Sequence, residues 1–148
     1  MYYQEKRTIV SSVSSALILG FYSLYVYQRY VIGNPDIIND FKFWGTAILI
    51  LIPVTILAQI IIHIVFVIIN KIATDEDVPA FNDERDKLIE LKGTRISHWI
   101  FILGFFLAMG TQVMEMPPYV MFLTLIVSGF LAAVISDITK FILYRRGF

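Results

Sequence analysis

DERDKLIELKGTRISHW, residues 83–99, is the most charged stretch of the chain, and it runs without a break into IFILGFFLAMG, residues 100–110. The first part has the marks of a helix in water. Asn82 or Asp83 can cap it, and the acids of its first turn suit the positive end of the helix dipole. Asp83 and Lys87 stand four apart with the acid first, the better order for a helical ion pair. Ile89, Gly93, Ile96 and Ile100 fall near one face. The second part has the marks of a helix in lipid. One helix that starts in water and continues into a membrane satisfies both. Pro79 bars a helix through the preceding linker KIATDEDVPA, residues 71–80.

Working outward, the rest of the chain is more apolar still. Of its 148 residues 57% are hydrophobic and 16% charged, with mean hydropathy +0.72. A soluble domain carries about 25% charged residues. Three further segments, residues 8–31, 43–70 and 118–144, join residues 97–114 as mostly apolar stretches. A membrane helix needs about 20 such residues. Backbone groups in hydrocarbon must bond within their own segment, so these are helices rather than open strands. The first is too long for the core of a signal peptide, about 7–15 residues, and no small-residue cleavage pattern follows it, so a retained helix is expected.

The expected fold is therefore an all-α membrane protein: one domain over residues 1–148, four transmembrane helices in two antiparallel hairpins, and a charged linker and helical extension at 71–96. Lys and Arg orient it. Ten lie in the first tail, the second connection and the last tail, against two, Arg29 and Lys42, in the remaining connections. The positive-inside rule then puts both termini and the charged helix in the cytoplasm of a bacterial cell, in the inner membrane. Tyr22, Tyr25, Tyr27, Tyr30, Phe41 and Trp44 would form an outer aromatic belt, and Tyr2, Tyr3, Trp99 and Tyr144 an inner one.

EMPPY, residues 115–119, reads as a tight outer turn with Pro118 opening the fourth helix. Gly104 with Ala108, and Gly129 with Ala133, have the small-xxx-small spacing that lets helices approach closely, so these two stripes are expected to meet. Ser11, Ser12, Ser15, Ala16 and Gly20 offer the same on the first helix. Pro53 removes one backbone bond from the second. ILGFY, residues 18–22, is echoed by ILGFF, residues 102–106, a match short enough to arise by chance.

Ionisable groups at membrane depth are costly and point to function by default. Gln59 and His63 share a face of the second helix. His63 lies seven residues before Asn70, and Asp137 eight before Arg145, about 10 and 12 Å deep. They can meet, with His98 at a similar level, as an intramembrane polar cluster of Gln59, His63, His98 and Asp137. Three roles compete for it: a structural clasp, a proton or ion site, and haem ligation by His63 with His98. Two histidines at unequal depths suit haem poorly, and no cofactor is expected. Asp36, Asp40, Gln112 and Glu115 read as solvated loop groups.

Several classes fall away. There is no cysteine, hence no disulfide, thiolate metal site or thiol redox chemistry. Zero net charge argues against direct nucleic-acid binding. No nucleophile–base set, phosphate loop or metal-ligand spacing appears, and TDEDVPAFND, residues 74–83, lacks the glycine of a calcium loop. No enzyme and no metal are expected.

The charged helix, with Asp83, Glu84, Arg85, Lys87, Lys92 and Arg95, is left to do one of two things: anchor at lipid headgroups or dock a cytoplasmic protein. Asp83, Glu84, Arg85, Ile89 and Lys92 form D-E-R-x-x-x-I-x-x-K ahead of a membrane hairpin. In this motif, in YQEKRTIVSSVSSALILG and in the closing YRRGF, the chain resembles an uncharacterised family of small bacterial four-helix inner-membrane proteins. The resemblance implies a membrane partner that restrains a small helix-turn-helix regulator, relatives of this kind often being encoded beside one. It carries no activity and no functional residue with it. The first expectation is thus a non-enzymatic interaction or regulatory module, its four thin helices favouring a homodimer over a monomer. The rival is a small proton- or ion-coupled transporter built on Gln59, His63 and Asp137.

Overall fold

The computed structural model describes residues 3–75 and 84–147. Every regular element among them is helical. Helix α1, Tyr3–Val26, runs on as a wider π-helical turn, Tyr27–Val31, and a short 3-10 turn at Pro35–Asn39 leads to α2, Phe41–Thr74. Helices α3, Glu84–Val113, and α4, Pro118–Arg145, follow. All four are long and apolar enough to cross a membrane. At about 1.5 Å per residue even α1 exceeds the hydrocarbon thickness of about 30 Å. The helices outrun the apolar segments read from the sequence because hydropathy marks where lipid would be. Capping and turn residues set where a helix stops.

Those stops are visible. Asp75 takes a left-handed conformation, φ 53°, and its N–H bonds back to the Lys71 carbonyl at 3.0 Å, closing α2. Asp40 caps the other end by accepting from the Lys42 N–H at 2.9 Å. Between α3 and α4, Glu115 is left-handed at φ 57°, and the Met116 N–H reaches the Thr111 carbonyl at 3.0 Å. Pro118, which has no N–H to leave unpaired, then opens α4. The charged segment from Glu84 and the apolar run after it form one uninterrupted helix. The linker from residue 76, Pro79, and the capping candidates Asn82 and Asp83 lie outside the described residues.

The interior is small and polar while the outside is large and apolar. The buried residues include Gly93, Gly104, Ala108, Ala132, Ser14, Ser128 and Ser136. Leu49, Phe21, Leu103 and Phe106 lie open to the surroundings. Water would penalise so much exposed hydrocarbon, and lipid would not. Two of the buried hydroxyls bond back to their own helices: Ser14 donates to the Val10 carbonyl at 2.6 Å, and Ser128 to the Thr124 carbonyl at 2.6 Å. So spent, a serine packs as a small residue.

Helices α3 and α4 pack most closely, then α1 with α4 and α1 with α2. The array runs in the order α2–α1–α4–α3, with slight contact between α2 and α4 and no close backbone approach between α2 and α3 among the described residues. Contacts pair rising numbers with falling ones. Gly93 of α3 meets Ser136 and Lys140 of α4, and Gly104 meets Ser128. Tyr3 of α1 meets Phe66 of α2, and Tyr22 donates to the Ala47 carbonyl at 2.6 Å. Trp44 of α2 stacks on Phe122 of α4, centroids 5.5 Å apart, and spends its N–H on the Ile38 carbonyl at 2.7 Å.

The stripe of α4 that faces α3 is Ser128, Ala132 and Ser136, one residue away from the expected Gly129 and Ala133. One residue is a rotation of about 100° on a helix of 3.6 residues per turn. Gly129 and Ala133 turn instead toward a groove beside α1 and α2, where Gly129 also sees Phe101. Gly104 and Ala108 are both buried.

Candidate functional site

The end of the array where α1 begins and α4 ends holds most of its charge. Four helices converge there on one polar cleft with a volume of about 60 Å³. Helix α1 contributes Gln4, Arg7, Thr8 and Ser11, which recur about one turn apart and so line one face. Helix α2 contributes His63, and α3 contributes Glu90. Helix α4 contributes Asp137, Lys140 and Tyr144, again on one face. The volume exceeds the roughly 10–15 Å³ that one water needs.

The cleft is wired with alternating charge. Lys140 Nζ pairs with Glu90 Oε2 at 2.7 Å, joining α4 to α3. Ser11 of α1 and Asp137 of α4 line the cleft together, and Asp137 also feels the charges of Lys140, Glu90 and His63. His63 in turn feels Arg7 as well as Asp137. With a neutral imidazole the two cations, Arg7 and Lys140, balance the two anions, Glu90 and Asp137. An unbalanced charge at such depth costs several kcal/mol or draws in water, so the balance is a condition for packing these helices together.

Gln59 stands one turn from His63 on α2 and is already fastened. Its Nε2 donates to Ser15 Oγ at 2.8 Å, and its Oε1 accepts from Ser14 Oγ at 3.3 Å. His63 and Asp137 are therefore brought together, and Gln59 forms a separate polar tie above them. His98 is elsewhere: it is exposed on α3, its ring edge-on to Trp99 at 6.5 Å. The two histidines sit on helices that do not approach each other, so they cannot clamp one haem iron. Among the described residues no three His, Asp or Glu converge as metal ligands.

The first turns of α3 have two distinct faces. The inner face is pinned. Ile89 is fully buried, Gly93 lies under the Lys140 side chain, and Arg85 Nη2 donates to the Tyr144 carbonyl at 3.3 Å. Asp86 accepts from Gln4 Nε2 at 3.4 Å. The outer face is open. Leu88 is 52% exposed and Leu91 67%, with Glu84, Lys87, Thr94 and Arg95 exposed around them. Lys92 is half-buried and engaged in an interaction of its own. Asp83 lies outside the described residues. Of the expected docking residues, Arg85 is exposed but tied to α4 through the Tyr144 carbonyl, while Glu84, Lys87 and Arg95 are exposed on the open face.

Arg7, Glu90 and Lys140 belong to the cleft, although the sequence offered Arg7 chiefly as a topology marker. The signal was present: Gln4, Thr8, Ser11 and Ser15 form a polar stripe at helical spacing beside Arg7, and Asp137, Lys140 and Tyr144 form another. Comparison with protein-family models, curated proteins and solved structures returns no match. The class rests on the fold alone, an all-helical protein with four helices long and apolar enough to cross a membrane.

Proposed function

We propose that the chain is a non-enzymatic interaction or regulatory module of the bacterial inner membrane. Its four helices form two antiparallel hairpins, both termini face the cytoplasm, and the first turns of α3 dock a cytoplasmic protein. One observation carries this reading: the rigidly pinned start of α3 turns Leu88 and Leu91 outward between Lys87 and Arg95. Below Trp99, at headgroup level and beyond, leucines have no lipid interior to enter. A partner helix covering them buries apolar area at about 25 cal/mol per Å², and the flanking charges set its register. The lysine and arginine distribution supports the orientation. The partner is of the small helix-turn-helix kind that the resemblance implies.

The test is photo-crosslinking in cells from probes at Glu84 and Leu91. A discrete protein adduct, lost in the double variant Lys87→Glu, Arg95→Glu, is the expected result. Adducts to lipid alone, or to a second copy of the chain alone, defeat the proposal.

The second reading is a proton- or ion-coupled carrier built on Gln59, His63 and Asp137. What favours it is that His63 and Asp137 line one cleft. On that reading Asp137→Asn abolishes proton movement in proteoliposomes. On the docking reading it costs only stability.

A further inference from the structure

We infer that the cleft is a one-sided proton-binding site, with His63 as the acceptor, whose occupancy sets how tightly the start of α3 is held against α4. The site stands on geometry alone, and its regulatory meaning rests on the docking reading above.

Every helix sends an ionisable group into the cleft. Facing His63 are Arg7 from α1, Glu90 from α3, and Asp137, Lys140 and Tyr144 from α4. Two groups would make a clasp. Six around a space large enough for water make a place where a proton can be taken up and its charge shared. Solvent enters from the charged end, where Glu90 is half-exposed. One turn further in, Gln59, Ser14 and Ser15 are hydrogen-bonded to one another and do not line the cleft. Beyond them lies a groove of about 540 Å³ walled by Leu51, Ile52, Leu125, Ile126 and Phe130. A carrier needs a polar exit on the far side. This cleft leads into hydrocarbon, so a proton that enters leaves by the same door.

The consequence follows from the charges. Imidazole changes charge between about pH 5 and 8. When His63 takes a proton from cytoplasmic water, the cluster goes from balanced to one positive charge in excess. Imidazolium then competes with Lys140 for Asp137. Lys140, released from that share, is left to Glu90 alone, and the Glu90–Lys140 pair tightens. Glu90 sits on α3 one residue before the outward-facing Leu91, so the proton is felt at the docking face. Acid holds the start of α3 close, and alkali loosens it.

The chain has no cysteine, so spin labels can be placed without removing any. With labels at Leu91→Cys and Arg146→Cys in lipid nanodiscs, the inter-label distance distribution is expected to be shorter and narrower at about pH 5 than at about pH 8. His98→Gln, which removes the exposed histidine, should leave the shift intact. His63→Gln should abolish it, as should Glu90→Gln, which leaves the imidazole in place and cuts the link. A distribution that ignores pH, or a shift that survives both His63→Gln and Glu90→Gln, overturns the inference. A pH-dependent distance in a chain that crosslinks no partner keeps the proton site and sinks only the docking reading.

Discussion

A β-carbon added at Gly104 would land on the Ser128 side chain, whereas one at Gly110 would meet nothing within 4 Å. The same substitution should therefore give opposite results six residues apart on one helix. Gly104→Ala forces α3 and α4 apart and is expected to cost about 1–3 kcal/mol. Gly110→Ala should be neutral or slightly stabilising, since alanine favours a helix over glycine by about 1 kcal/mol. Reversible unfolding in mixed detergent micelles reads both. At this scale the sequence was half legible. Gly104 and Ala108 announce themselves by size. Ser128 does not, because a serine is written as polar and becomes small and inert only once its hydroxyl bonds to its own backbone, and Ser136 is buried against Gly93 in the same stripe. Reading Gly129 and Ala133 as the partner stripe followed residue size. The packed face followed from serines whose burial no sequence displays.

Helix α3 combines a charged beginning with an apolar remainder, and the two halves report different surroundings. Its start is held by one large buried side chain, Ile89, and by polar ties to Tyr144, Gln4 and Lys140. Glu90→Lys sets two ammonium groups against each other where a 2.7 Å ion pair stood. Hydrogen exchange should then speed up several-fold over residues 84–96 and stay unchanged in the apolar half of the helix. Uniform slow exchange along α3 would mean that Ile89 and Gly93 hold it without help from charge. The existence of this helix was plain from the acid–base order and the apolar run. Its two-faced character was not. Arg85 and Lys87 look equivalent in the sequence and both are exposed, yet they lie about 200° apart on the helix, and Arg85 reaches the Tyr144 carbonyl of α4.

The whole molecule is an array in which α1 and α4 lie at the centre and α2 and α3 at the flanks. Hydropathy reveals four spans because lipid demands about 20 apolar residues of each. It says nothing of their neighbours, since leucine faces lipid as readily as another helix. The cleft was legible to the same degree: His63 and Asp137 stood out as costly at depth, while the contributions of Arg7 and Glu90 depended on which helices meet. The docking reading, and with it the regulatory meaning of the proton site, requires that this charged end face the cytoplasm. The most direct test places single cysteines in the cysteine-free chain, at Lys87 and Arg146 on the charged end and at Asp36 on the aromatic end. A membrane-impermeant maleimide should label Asp36→Cys in intact cells, and Lys87→Cys and Arg146→Cys only after the inner membrane is opened. Labelling of Lys87→Cys in intact cells would turn the molecule over and contradict the account.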